Sequence, residues 1–432
     1  MRFIILLITL LTLSACSSYG TINNEPLKYN TVVTDLYSLA STKERRDSGE
    51  FIIIIAMSGG GTRAAALSYG VLKGLKEELV TINGVETSLL DEVDFITSVS
   101  GGSFTAAYYG LHGDKIFTDY EDDFLYNDVG SDLFWRAMNP ALWFSTSGLT
   151  DEAVAYYQDR LFGDATFSDI DKKNSPLIII NATDLGGGVR FSFTQEYFNL
   201  ICSNISSYPI ASAVAASAAV PIAFNPVVLK NHTGCGSQDL FDLDSNNTYN
   251  AVKSSVVEGL KSYSDKDERQ YIHLVDGGIT DNLGLQAMWD ISNISKQRYL
   301  SEVRSDVKPH LISITVDAST TPHSDMEKSS KTPGILDTLN QMSDIQIHHN
   351  NDVTRNYYKQ SLLRFGLAND ISTYFIDVSL NNVKDPEDNA KMNNIPTDLE
   401  LEAEQVDALI KEGMKQVQTN ENLIKFLRKL EP

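Results

Sequence analysis

The chain of 432 residues is poor in cysteine, with three, in tryptophan, with three, and in basic residues, with 35 Lys and Arg against 57 Asp and Glu. The formal net charge of −22 excludes the basic footprint that nucleic-acid binding requires. It also excludes attraction to anionic lipid by charge alone. No Cys and His residues have the spacing of a zinc site. The acidic run Asp242-Leu-Asp244-Ser-Asn246 is not a calcium loop, because it lacks glycine at the sixth position and carries Lys253 where a bidentate glutamate belongs. No cofactor and no metal are expected. Long apolar runs are missing too: residues 3–11 are too few to span a bilayer. What is present, 42% hydrophobic and 21% charged residues, is ordinary globular composition, enough for one large α/β domain or two smaller ones.

The short apolar run has a role at the N-terminus. Met1-Arg2 supplies positive charge, residues 3–11 form an apolar stretch, and Leu13-Ser14-Ala15-Cys16 follows, the layout of a secretory signal. The last four residues resemble a bacterial lipobox, which implies lipid on Cys16. Ser17 in place of aspartate after that cysteine implies the outer membrane of a Gram-negative envelope. The other reading is an ordinary signal peptide with an incidental cysteine. The expected organisation is a signal at 1–15, a lipidated tether and docking segment at 16–47, a main domain at 48–385 and a C-terminal helical segment at 386–432 packed on it. With Cys16 lipidated, Cys202 and Cys235 are left as a candidate disulfide pair in an oxidising compartment.

From residue 51 strand and helix signals alternate. Apolar runs at 51–56, 93–97, 177–181, 190–193, 271–275, 310–316 and 374–378 read as strands. Runs at 63–79, 103–111, 151–161, 211–219, 283–291, 398–416 and 420–429 read as helices. This alternation predicts an α/β fold with a mainly parallel sheet between helices, a three-layer α/β/α arrangement. Residues 233–269 read as a polar insertion and 318–333 as a loop.

Two glycine-rich turns carry the chemistry. Ser98-Val99-Ser100-Gly101-Gly102 meets four of the five positions of the Gly-x-Ser-x-Gly elbow, with Ser98 at the first glycine. Ser100 would then sit at a helix N-terminus, whose dipole favours a developing alkoxide. Gly59, Gly60 and Gly61 follow the first strand and would present amides to an oxyanion. Gly59-x-Gly61-x-x-Ala64 also fits a dinucleotide fingerprint, but no second strand ends in an acidic residue about twenty positions on, where Glu77 and Glu78 continue a helical pattern. No nucleotide is expected. Asp276-Gly277-Gly278 ends another strand, where open α/β sheets place ligands.

Gly-Gly-Gly-Thr-Arg at 59–63, Ser-x-Ser-Gly-Gly at 98–102, Asn-Ala-Thr-Asp at 181–184, Ala-Ala-Ser-Ala-Ala-Val-Pro at 215–221 and Asp-Gly-Gly at 276–278 together resemble the patatin-like phospholipase family. The resemblance covers about residues 50–320. It implies a Ser–Asp dyad with Ser100 as nucleophile and Asp276 as base, an oxyanion hole around Gly60 and Gly61, and phospholipid or other lipid esters as substrates. Lipid on Cys16 would hold such an enzyme at the membrane. Arg63 is a candidate for orienting the glycine turn or attracting a phosphate. His310 and His323 lie downstream of Asp276, in the Ser…Asp…His order of a triad. His273 should face the other side of its strand from Asp276, and His348-His349 read as solvated. The apolar cluster at 133–144 reads as core or as a membrane-docking edge. An acyltransferase would use the same acyl-enzyme, and a non-catalytic lipid- or partner-binding lipoprotein is the alternative from another class.

Overall fold

The computed structural model describes residues 20–28, 36–39, 51–82, 84–131, 148–171, 173–221, 223–235, 251–287, 310–320, 328, 330 and 332–430. Cys16, His323 and the apolar cluster at 133–144 lie outside them. The principal elements in chain order are β1 (Phe51–Met57), α1 (Gly61–Glu77), β2 (Leu79–Ile82), β3 (Val85–Ser88), β4 (Val93–Val99), α2 (Gly101–His112), α3 (Leu149–Tyr157), β5 (Leu177–Asp184) and β6 (Val189–Ser192). They continue with α4 (Ile210–Ser217), β7 (Val227–Lys230), β8 (Tyr271–Asp276), β9 (His310–Asp317), α5 (Ile335–Asn369), β10 (Ser372–Ser379), α6 (Ala403–Gln418) and α7 (Glu421–Leu430).

The central sheet has eight strands in the order β10-β9-β1-β4-β5-β8-β7, with β6 on β5. Neighbours from β10 to β5 are parallel. Strands buried on both faces need continuous apolar sequence, and β1, with its Ile52-Ile-Ile-Ile55 run, is buried at every residue. The mainly parallel sheet between helices is therefore present as read from the sequence. Its far flank differs: β8 pairs antiparallel with both β5 and β7, and β6 pairs antiparallel with β5.

The register of that flank positions the site. Asn181 of β5 faces Val99 of β4 on one edge and Ser192 of β6 on the other, while Thr183 faces Val275 of β8 and Arg190 of β6. Hence β4 and β8 share one edge of β5 and run toward each other. β4 ends opposite Asn181 and β8 ends opposite Ala182. The residues that follow β4 and those that end β8 must meet.

Helix α1 is apolar nearly all round because it is covered on two sides. Its outer cover is α6, whose backbone approaches closely: a Cβ on Gly70 would stand 2.2 Å from the Ile410 carbonyl oxygen, and one on Gly413 would stand 2.5 Å from that of Leu67. The sequence reading ran the first helix to residue 79, but it stops at Glu77 and Leu79 opens the β2–β3 hairpin. Helix α5 is absent from the runs read as helices, although the stretch around His348-His349 reads as polar and helical. It is mostly polar and is held from its side by Arg355 on Asp317 and by Asn351 on Ser319 (2.6 Å).

Candidate active site

Ser100 connects β4 to α2 with φ 48° and ψ −120°, a conformation that costs a non-glycine residue about 1–3 kcal/mol and persists only where its surroundings enforce it. The enforcing contacts are specific. The Ser100 amide donates to Ser217 Oγ (2.8 Å), which in turn donates to the Asn181 carbonyl (2.6 Å). Ser217 Oγ also meets Ser103 Oγ at 3.0 Å, and Ser103 donates to Ser98 Oγ at 3.1 Å. Ser98, which stands where the elbow pattern has glycine, is thus a buried member of a hydroxyl network. Asn181 braces the same turn from below, donating to Thr97 Oγ1 (2.8 Å) and the Ser98 carbonyl (3.0 Å).

The small residues after Ser100 are demanded by contact. A Cβ on Gly101 would fall 2.0 Å from the Gly61 carbonyl oxygen, and one on Gly102 would fall 2.7 Å from that of Ser58. The two glycine turns are therefore packed backbone to backbone. A Cβ on Gly59 would meet Ser100 Cβ at 3.3 Å and Asn282 Oδ1 at 2.5 Å.

Asp276 arrives from the opposite direction. Its amide donates to the Ala219 carbonyl (2.9 Å), and the Gly277 amide donates to that of Ser217 (3.1 Å). One serine of α4 therefore fixes both strand ends. Asp276 Oδ1 accepts from the Gly278 amide at 2.7 Å, and the Ser100 hydroxyl is near enough to its carboxylate to favour the ionised form. Both side chains are only 8% exposed. Burial pushes the Asp276 carboxyl up to about 6, against the lowering effects of the Gly278 amide and the Ser100 hydroxyl.

The first turn is narrower as an anion site than its three glycines imply. The Gly59 amide donates to the Asn282 carbonyl (3.0 Å) and so is committed; this corrects the expectation for Gly59. The Thr62 amide donates to the Asp398 carbonyl (2.8 Å). Among the described residues, the amides of Gly60 and Gly61 donate to no protein group. Gly60 holds φ 140° and Gly61 φ 61°, and a Cβ on Gly61 would lie 2.2 Å from the Asp398 carbonyl oxygen. Arg63 is buried, with Nη1 donating to the Ile395 carbonyl (2.6 Å). It ties the start of α1 to the C-terminal segment. Burial lowers its guanidinium to about 10, with Asp317 and Asp344 opposing, so it stays cationic at neutral pH.

The histidines stand apart. His310 begins β9 opposite Phe51, at the end of the sheet away from Ser100, and its ring packs near Tyr374 and Phe426 at 5.9 and 5.8 Å. His273 is exposed, as its offset from Asp276 required, and lines a cleft of about 370 Å³ with Asp184, Arg269 and Tyr271. That cleft includes neither Ser100 nor Asp276. Its Asp184 is already bound by Arg269 (2.6 Å) and Tyr263 (2.9 Å). His348 is half-buried rather than solvated, and burial lowers its imidazole. Cys202 and Cys235 form a disulfide, with Cα atoms 5.4 Å apart. Ser217, Ser103 and Asn282 were not singled out as site residues. The runs at 98–102, 215–221 and 276–278 marked their neighbourhood.

A family model described as patatin-like phospholipase matches residues 55–289. Among curated proteins none matches the chain. Among solved structures it is similar to human GIVD cytosolic phospholipase A2, at 13% identity and a TM-score of 0.43, over 95% of this chain and 68% of that one. The human enzyme in complex with methyl gamma-linolenyl fluorophosphonate and terbium chloride gives 12% identity and a TM-score of 0.40, over 95% and 66% of the two chains. VipD from Legionella pneumophila gives 10% and 0.32, over 88% and 67%.

Proposed function

Because the chain belongs to the patatin-like phospholipase family, matched over residues 55–289, we propose that it is a lipid acyl hydrolase working through a Ser100–Asp276 dyad. The observation that carries this reading is the head-on meeting of β4 and β8 along β5, which brings Ser100 and a buried Asp276 to the same point of the sheet. Ser100 Oγ attacks the ester carbonyl as its proton passes to the Asp276 carboxylate. The amides of Gly60 and Gly61 receive the negative charge on the carbonyl oxygen. The tetrahedral adduct collapses, and the departing alcohol takes the proton from Asp276. Water then attacks the acyl-serine and gives a proton to Asp276. Collapse releases the fatty acid and returns the proton to Ser100.

An exposed aspartate is a weak base at neutral pH. A carboxyl raised to about 6 is closer to the operating pH and still ionised there, the compromise that general-base catalysis favours. Lipid on Cys16, export to the cell envelope and residence at the outer membrane belong to the same proposal. They rest on the leader and the sequence Leu13-Ser14-Ala15-Cys16.

The test is covalent labelling with an alkyl fluorophosphonate, followed by peptide mass mapping. One adduct on Ser100, lost in Ser100→Ala, is expected. No adduct, or an adduct on another serine, defeats the dyad.

A further inference from the structure

The N-terminal segment is expected to be a tether and docking segment, and residues 20–28 are fixed to the sheet edge. Asn24 is 4% exposed and acts as a side-chain strand against the end of β7: Nδ2 donates to the Lys230 carbonyl (2.9 Å) and Oδ1 accepts from the Lys230 amide (2.9 Å). Nδ2 also donates to Ser203 Oγ (3.0 Å). Glu25 and Pro26 pair antiparallel with Asn204 and Ser203, and the Leu27 amide donates to the Cys202 carbonyl (2.8 Å). The Cys202–Cys235 disulfide staples the loop that receives them. Gly20 sits so close that a Cβ on it would lie 2.4 Å from Val228 Cγ2. The edge of β7, otherwise open to pairing with other chains, is blunted by this segment.

Chain length turns this docking into a distance limit. Only Ser17, Ser18 and Tyr19 separate Cys16 from Gly20. Four peptide steps reach at most about 14 Å. Val228 faces His273 across the sheet, and His273 is three residues from Asp276. Strand spacing and rise then place Gly20 within about 20 Å of the dyad. Exposed apolar side chains near this path include Ile22 (42%), Val220 (49%) and Ile279 (44%). Val220 follows the carbonyl that binds the Asp276 amide, and Ile279 lies three residues past Asp276. With a net charge of −22 the chain has no electrostatic means of settling on an anionic bilayer, so proximity must come from the anchor and apolar contact.

We infer that the docked N-terminal segment is a short leash that holds the Ser100–Asp276 end of the sheet, with Ile22, Val220 and Ile279, against the lipid surface in which Cys16 is anchored. The inference rests on the proposed lipid on Cys16 and the proposed hydrolysis. The decisive variant inserts twenty Gly and Ser residues between Tyr19 and Gly20 of the full, lipid-bearing chain, reconstituted in phosphatidylcholine vesicles. Effective concentration falls roughly as the −3/2 power of leash length, so fatty-acid release from the vesicles should drop roughly tenfold. Hydrolysis of a soluble short-chain ester should stay at the parent rate. Asn24→Ala, which frees the clamp, should show a smaller loss in the same direction.

Unchanged vesicle rates overturn the leash. So does an equal loss on both substrates, which would trace the effect to the domain itself. The two supporting readings fail separately: a parent chain inactive on both substrates removes the hydrolase. A parent chain that leaves the membrane fraction no differently from Cys16→Ser removes the anchor. Either failure removes the leash as well.

Discussion

The turn after β1 and the turn after β4 are alike in sequence, each a short run of Ser and Gly between a buried strand and a helix, yet they differ in which backbone amides are tied. In the second turn the Ser100 amide is tied to Ser217 and the Gly102 amide to the Ser58 carbonyl (3.2 Å). This fixes the backbone at positive φ and leaves the Ser100 hydroxyl as the proposed nucleophile. In the first turn the flanking amides of Gly59 and Thr62 are tied down and the middle two, Gly60 and Gly61, donate to no protein group among the described residues. One turn presents a side chain and the other presents N–H groups. The difference comes from which distant carbonyls and hydroxyls reach each turn: Asn282 and Asp398 for the first, and Ser217 for the second.

Predictions that separate the two turns begin with the side chain. Ser100→Ala should lower fatty-acid release by about 10⁴-fold or more, since the residual rate would come from binding and the oxyanion site alone. Gly60→Ala should cost about 10²–10³ in kcat by displacing an amide from a conformation that L-residues rarely adopt, with vesicle binding retained. If Gly60→Ala is as active as the parent, the first turn is not the oxyanion site.

Ser217→Ala leaves the buried Ser100 amide without its acceptor. An unsatisfied group of that kind costs about 1–3 kcal/mol, so a loss of about ten- to a hundredfold in kcat is expected, with partial recovery in Ser217→Thr. Activity should also fall as pH drops through about 6, approaching tenfold per unit below it, because protonated Asp276 cannot accept the serine proton. Arg63→Met should have the smallest effect, a few-fold in rate with a lower melting temperature. Its guanidinium is bound to the Ile395 carbonyl and holds the first turn from behind.

The sequence carried the parallel half of the sheet plainly, because strands buried on both faces are written as unbroken apolar runs such as Phe51–Met57. It carried the turns at Ser100 and Asp276, the proposed dyad, because glycines are forced wherever backbones touch, as Gly101 touches Gly61. The antiparallel flank was harder to read. The direction of a strand leaves no mark on its own residues, so nothing local in Tyr271–Asp276 says that it runs against β5. The commitment of the Gly59 amide depends on a carbonyl 223 positions away at Asn282, a contact no turn pattern encodes. The extent of helix α5 was harder to read for a different reason: among its described side chains it buries few apolar ones, Tyr358 and Leu362 among them, and so lacks a marked apolar stripe.

The central claim is that a buried aspartate, without a histidine, takes the serine proton. The most direct measurement is the pH–rate profile of fatty-acid release by the parent, Asp276→Asn and His310→Ala. The account predicts a parent profile rising through about 6, a loss of about 10³-fold or more in Asp276→Asn across the whole range, and a parent-like profile in His310→Ala. An Asp276→Asn protein within tenfold of the parent, or one that keeps the inflection near 6, would contradict it.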